Sequence, residues 1–138
     1  MMKYVISDIN ADGYERFVTI KNKDNNFSFV VHFLEYDEYL EDNEKSKKRD
    51  VGDIMEGEMA IGLVAVDKEV NATLMHKQLI PGSSHIEAIV RICKIVDDYS
   101  VFASSSLVNG LILIEFEHRV NYRKGDVIYL EGSLEMNL

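Results

Sequence analysis

The histidines and the cysteine are the side chains best suited to metal binding or catalysis, and their spacing supports neither. His32, His76, His85 and His118 form no H-x-H, H-x3-H or H-E-x-x-H pattern, so a metal site would have to assemble from distant strands. Cys93 stands alone, and a lone cysteine is more often a packing residue than a nucleophile. Glycine-rich phosphate loops and G-x-S-x-G contexts are also missing. The sequence therefore predicts no enzyme, no metal and no cofactor.

The acidic segment from Glu35 to Glu44 is the best remaining candidate, with six acids and no base. It lacks the glycine and the terminal glutamate pattern of an EF-hand loop, so calcium is not expected. Tyrosines beside carboxylates suit docking onto a basic protein, because the rings supply buried area and the acids steer the approach. The alternative is a solvated charged surface without a partner. The predicted partner-binding residues are Tyr36, Asp37, Glu38, Tyr39, Glu41 and Asp42.

The overall charge points to the same class of partner. Twenty-four acidic and fifteen basic residues in 138 give a net charge of −9. Such a field repels nucleic acids and anionic lipids and favours cations or basic protein surfaces. The competing explanation is that the acidity serves solubility alone.

The location predicted from the sequence is the cytoplasm. A single cysteine excludes an intramolecular disulfide framework. The chain opens without a secretory signal, and its apolar runs are too short to span a bilayer.

The elements that would carry these residues are mostly β-strands. Short β-rich runs alternate with turn signals over residues 1–138, which predicts one domain, mainly β, forming a small antiparallel barrel or sandwich. Phe27, Phe29, Val31 and Phe33 share one face at period two, which indicates a core face. Gly62 suggests a bulge or a bend in the strand that contains it. An exposed sheet edge could also support a homodimer.

One or two short helices are expected beside the strands. The segment Tyr36–Arg49 carries Glu41–Lys45 and Glu44–Lys48 at i,i+4 spacing, with acids near its start and bases near its end. Both features favour a surface helix. A charged loop is the alternative, because the apolar face is only one turn wide.

Residues 85–138 resemble part of an OB-fold barrel. The resemblance lies in the order of a long strand (Ile86–Val96), a hairpin return (Val101–Ser106), a third strand (Leu111–Glu117) and a closing stretch (Lys124–Leu134). In that closing stretch a Gly-Asp turn and a later glycine would let the strand curve for closure.

The resemblance implies nucleic-acid or oligosaccharide binding through exposed aromatic and basic side chains on the middle strands. Glu115 and Glu117 project from the same sheet and oppose a phosphate backbone. The residues at the implied binding positions are Arg91, Lys94, Tyr99, Phe102 and Arg119.

Three functional hypotheses follow. The first is a non-enzymatic acidic module that binds a basic protein, for example a bacterial immunity or inhibitor protein directed against a cationic toxin. The second is an OB-type nucleic-acid or oligosaccharide binder. The third is an enzyme whose site assembles from dispersed residues such as His32, His118 and Glu117.

Overall fold

A computed structural model of the protein describes residues 2–24, 26–42 and 44–138. Within these ranges the regular structure is β-strand throughout, without a helix. The strands are β1 (Met2–Asp12), β2 (Glu15–Asn22), β3 (Ser28–Leu34), β4 (Ile54–Glu69), β5 (Met75–Lys77), β6 (His85–Asp97), β7 (Ser100–Ser104), β8 (Leu111–Phe116) and β9 (Val127–Asn137).

All nine strands belong to one sheet. Its order is β1-β2-β3-β9-β4-β8-β7-β6-β5, with additional pairings between β1 and β4 and between β9 and β6. These pairings close the sheet into a ring of strands. The mainly β fold is confirmed. Its form as a small antiparallel barrel or sandwich stays a prediction, and the β3–β9 and β4–β8 pairs are parallel. The chain divides into two compact units, the first formed by Met1–Glu58, Ile80–Ser84 and Glu135–Leu138, the second by Met59–Leu79 and His85–Leu134. The single domain over residues 1–138 stays a prediction.

In the first unit, β2 lies between β1 and β3 and pairs antiparallel with both. The first residues of β1 also pair with the start of β4, while β3 meets β9 in parallel at His32 and Glu135. The alternation within β2 and β3 places every second side chain in the core. These core residues include Val18, Ile20, Phe29, Val31 and Phe33.

The second unit shows the same alternation. β6 pairs antiparallel with β5, β7 and β9, and β8 pairs antiparallel with β7 and in parallel with β4. Its core includes Ile86, Ala88, Val90, Ile92, Ile112, Ile114, Ile128 and Leu130.

The predicted bulge at Gly62 is confirmed. The β4–β8 register shifts between Ile61 and Val64, and Leu63 has a positive φ of 55°. A Cβ on Gly132 of β9 would lie 2.6 Å from the Gly62 carbonyl oxygen. A glycine is therefore required at position 132 for this close approach.

Two expectations are wrong. Phe27 is 51% exposed, because β3 begins one residue later at Ser28. The helix over Tyr36–Arg49 is absent from the described part of that segment, which contains turns and bends; Asn43 lies outside the described residues. Leu40 explains the difference, since its amide and carbonyl bond to Gly13 at 3.0 and 2.9 Å and so cannot take part in a helix.

Candidate functional site: an exposed tyrosine surface

Three exposed tyrosines meet in the first unit. Tyr14 lies between β1 and β2, and Tyr36 and Tyr39 follow β3. The ring centroids of Tyr14 and Tyr39 are 5.1 Å apart with the planes at 76°, and those of Tyr14 and Tyr36 are 6.3 Å apart at 42°. The residues are 44%, 75% and 60% exposed in chain order. We call Tyr14, Tyr36 and Tyr39 the tyrosine surface.

The backbone beneath the tyrosine surface is fixed by hydrogen bonds. Besides the two bonds between Gly13 and Leu40, the amide of Glu35 donates to the Tyr14 carbonyl at 2.8 Å. Gly13 has a φ of +63°, and a Cβ there would lie 3.2 Å from Cε2 of Tyr39. Glycine at this position therefore permits both the turn and the close approach of the Tyr39 ring.

The buried side chain of Arg16 connects the turn at Gly13 with the segment after β3. Arg16 is 1% exposed, and its guanidinium donates to the carbonyls of Gly13 at 2.8 Å and Glu15 at 3.0 Å. It also donates to the Glu38 carbonyl and reaches the Glu38 carboxylate at 3.3 Å. Sequence reasoning missed this residue. The available signal was its position in phase with the buried side chains of Val18 and Ile20.

Glu38 is a structural residue and not a free acid. Its side chain is 13% exposed and accepts hydrogen bonds from the Ser46 hydroxyl at 2.6 Å and the Lys47 amide at 2.9 Å. Those two bonds, with the contribution of Arg16, lower the pKa of the Glu38 carboxyl. The prediction that Glu38 contacts a partner is untested, and its carboxylate already has internal partners.

The other predicted acids differ among themselves. Asp37 accepts a hydrogen bond from Lys48, which lowers the pKa of its carboxyl. Glu41 and Asp42 are exposed, and neither carboxylate forms an ion pair with any described residue. Glu41, Asp42 and the exposed rings of Tyr36 and Tyr39 are therefore the predicted residues most available to a partner.

Arg49 provides an internal example of how this region holds a guanidinium group. Its guanidinium carbon lies 5.1 Å from the centroid of the Phe33 ring, and its Nε donates to Oε1 of Glu35 at 2.8 Å. An aromatic face and a carboxylate thus bind the same cation.

The histidine of the first unit named in the enzyme hypothesis has both ring nitrogens engaged. In His32, Nδ1 is 2.7 Å from Oε2 of Glu135, and Nε2 is 3.2 Å from Oε1 of Glu15. The Phe17 ring packs against the imidazole at 4.9 Å. This arrangement ties β2, β3 and β9 together and leaves no ring nitrogen for a substrate.

The other histidine named in that hypothesis, His118 of the second unit, also has both ring nitrogens engaged. In His118, Nε2 bonds to the carboxylate of Asp67 and Nδ1 lies 3.1 Å from the Arg119 carbonyl. These two bonds raise the pKa of His118, the carbonyl being the larger cause. Asp67 also accepts a hydrogen bond from the Tyr122 hydroxyl. These side chains therefore connect β4 with the segment that follows β8.

The residues implied by the OB-fold resemblance lie around the β6–β7 hairpin. Lys94 and Phe102 are cross-strand partners, and Tyr99 is 48% exposed. Arg119 pairs with Asp98 at 3.2 Å. In the described part of the chain neither Tyr99 nor Phe102 contacts another aromatic ring, so no aromatic cluster forms here.

A cavity of about 220 Å³ also lies in the first unit. Its lining includes Asp8 and Ile9 of β1 with Lys45, Arg49 and Val51 of the following loop. This volume is below the usual range of small-molecule sites, which begins near ~300 Å³.

Comparison of the chain with protein-family models, curated proteins and solved structures gave no match. The OB-fold resemblance of residues 85–138 therefore stays a prediction. In residues 2–24, 26–42 and 44–138 no three His, Cys, Asp or Glu side chains are placed to hold a metal ion. The same residues include no helix of the length and apolarity needed to cross a membrane.

Proposed function

We propose that this protein is a non-enzymatic, acidic binding module that engages a basic protein partner through the tyrosine surface. The observation that carries the proposal is the assembly of three exposed rings, from two separate segments, over a backbone fixed by a buried arginine. Exposed large side chains scattered singly need no explanation, whereas aromatic rings grouped at one place support the proposal of an interaction surface.

The physical chemistry of the tyrosine surface suits protein recognition. Tyrosine buries a large area on binding and loses little conformational freedom, because its ring has only two side-chain torsions. Hydrogen bonds at Gly13, Leu40 and Arg16 already fix the supporting backbone. Binding therefore costs little conformational entropy for this backbone. The net charge of −9 attracts a cationic surface over long range.

A concrete form of this function is an immunity or inhibitor protein in the bacterial cytoplasm. It would neutralise a basic nuclease toxin by covering the cationic surface that the toxin uses to bind nucleic acid. The acidic charge and the aromatic surface would then have separate roles, with the acids accelerating the encounter and the rings slowing dissociation.

The test is retention of a basic partner by the tagged, full-length protein from its native host. The variant pair Tyr36→Ala/Tyr39→Ala should lose the partner, and Glu41→Lys/Asp42→Lys should lose it at low salt. Tyr99→Ala is the matched control, because Tyr99 is similarly exposed but contacts no other ring in the described residues. Glu38 is left unchanged because it binds Arg16.

The proposal fails if wild type and the Tyr36→Ala/Tyr39→Ala variant retain the same proteins in the same amounts. It also fails if the partner that depends on these tyrosines proves to be a nucleic acid.

A further inference from the structure

We propose, resting on the function proposed above, that the tyrosine surface recognises an arginine side chain of the basic partner. The guanidinium group would stack on an exposed tyrosine ring and pair with a neighbouring carboxylate. The ligand class is therefore a guanidinium presented by a protein loop or strand.

The first unit itself contains an example of guanidinium binding. Arg49 lies over the Phe33 ring at 5.1 Å while its Nε donates to Glu35 at 2.8 Å. A ring face and a carboxylate carried by neighbouring residues of one segment thus satisfy a guanidinium. The chain continues directly from this pair into Tyr36 and Asp37.

The exposed residues offer the same types of group without an internal cation. Tyr36 and Tyr39 are 75% and 60% exposed, and no described arginine or lysine lies over either ring. Glu41 and Asp42 follow Tyr39 in the chain within three residues, are exposed, and form no ion pair with a described residue. Aromatic rings and uncompensated carboxylates are thus carried by one short segment, and both are groups that bind a guanidinium.

The planar shape of a guanidinium favours arginine over lysine at such a surface. A guanidinium is weakly hydrated, so it stacks on a ring while its edge still donates to a carboxylate. An ammonium is compact and strongly hydrated. It can lie over a ring, as Lys68 does over Tyr129 at 5.8 Å, but it has no plane with which to stack.

The experiment is calorimetric titration of the full-length protein with three synthetic peptides of equal length. They contain three Gly-Arg repeats, three Gly-Lys repeats and three Gly-citrulline repeats, and the titrations are done near physiological ionic strength. The arginine peptide should bind at least about fivefold more tightly than the lysine peptide. The citrulline peptide should not bind, because it keeps the planar shape and loses the charge.

Variants locate the selectivity. In Tyr36→Ala/Tyr39→Ala the ratio of the two dissociation constants should fall to about one, since only the non-specific charge attraction remains. In Tyr99→Ala the wild-type ratio should persist. Both changes are at exposed side chains, and circular dichroism checks that each variant is folded.

Equal affinity for the arginine and lysine peptides overturns the inference, as does selectivity that survives in Tyr36→Ala/Tyr39→Ala. Absence of binding to both charged peptides overturns it as well. The proposed function is judged separately by partner retention. A partner that is lost with the tyrosines, together with equal peptide affinities, leaves that function standing and removes arginine recognition.

Discussion

Two tyrosine-bearing acidic segments of the chain have similar residues and different arrangements. In the segment Tyr36–Asp42 the rings of Tyr36 and Tyr39 join Tyr14, and Arg16 fixes the backbone from beneath. In the turn Asp97–Ser100 the Asp97 carboxylate accepts from the Tyr99 amide at 2.8 Å and the Ser100 hydroxyl at 2.7 Å. The Tyr99 ring is 48% exposed there and contacts no other described ring.

Acids and tyrosines in one segment therefore do not by themselves make a recognition surface. The turn at Asp97 stabilises itself by local hydrogen bonds and presents one ring. The backbone of the Tyr36–Asp42 segment is instead held by the buried Arg16 of β2. The two rings of this segment join that of Tyr14, so that three rings lie together.

The largest effect is expected at Arg16. Replacement by alanine removes the buried guanidinium that donates to the carbonyls of Gly13, Glu15 and Glu38 and to the Glu38 carboxylate. The free energy of unfolding should fall by about 2–4 kcal/mol, measured by chemical denaturation. Arg16→Lys keeps the charge but not the forked donor geometry and should lose an intermediate amount.

Arg119→Ala is the control in the other region. The Arg119 side chain is 72% exposed and pairs with an exposed Asp98. Its removal should therefore change the free energy of unfolding by less than about 0.5 kcal/mol. Equal losses for Arg16→Ala and Arg119→Ala would contradict the special role of the buried guanidinium.

The next effect is expected at Gly13. Gly13→Ala and Gly52→Ala both place alanine at a positive φ, of 63° and 93°, which should lower the free energy of unfolding by about 1–2 kcal/mol in each. Only at position 13 does the added methyl meet Tyr39, at 3.2 Å; at position 52 nothing lies within 4 Å.

Gly13→Ala should therefore displace the Tyr39 ring and lower the arginine selectivity, while Gly52→Ala should leave it at the wild-type value. The measurement is the ratio of peptide dissociation constants in the two variants. Loss of selectivity in both would show that strain at glycine, and not the position of the ring, controls binding.

A smaller effect is expected from acidification. The pKa of Glu38 is lowered in the folded state, so its ionised form stabilises the fold at neutral pH. That contribution is lost as the pH falls below the ordinary value of 4.5 and through the lowered one. Glu38→Gln should therefore flatten the fall of the unfolding free energy as the pH is lowered from about 5.

Asp97→Asn gives the matching measurement in the other segment. The pKa of Asp97 is also lowered, chiefly by the hydrogen bond from the Ser100 hydroxyl. Its ionised form therefore also stabilises the fold, and this contribution is likewise lost on acidification. The flattening should be weaker, because Asp97 bonds only within its own turn whereas Glu38 also holds Arg16. A stronger flattening in Asp97→Asn than in Glu38→Gln would contradict the larger contribution of Glu38 to stability.

The smallest effect on stability is expected at Lys48. Its ion pair with Asp37 is exposed, so Lys48→Ala should leave the unfolding midpoint unchanged. The same variant frees the Asp37 carboxylate beside Tyr36 and should modestly increase affinity for the arginine peptide. An unchanged or weaker affinity would contradict a contribution of Asp37 to binding the peptide.

The strands could be predicted from the sequence because the alternation of buried and exposed side chains is a local property. Phe29, Val31 and Phe33 follow it, whereas Phe27 lies just outside the strand. The helix over Tyr36–Arg49 could not be excluded locally. Its i,i+4 charge pairs contribute only about 0.2–0.5 kcal/mol each, less than the long-range hydrogen bonds that the segment makes instead.

The sequence predicts only part of the candidate site. Tyr36 and Tyr39 stand out because they lie among acids. Tyr14 does not, because β2 and β3 separate it from them along the chain and the register of those strands brings it back. Glu38 looked like a partner-binding acid, since its internal partner Arg16 is adjacent only in the folded protein.

The most direct test of the account is a nuclear magnetic resonance titration with the arginine peptide, using protein labelled only in its tyrosine rings. The chain has seven tyrosines, so all ring signals can be followed together. The signals of Tyr14, Tyr36 and Tyr39 should shift with one common dissociation constant while that of Tyr99 stays in place. Shifts of equal size at Tyr99, or none at Tyr36 and Tyr39, would contradict recognition by the tyrosine surface.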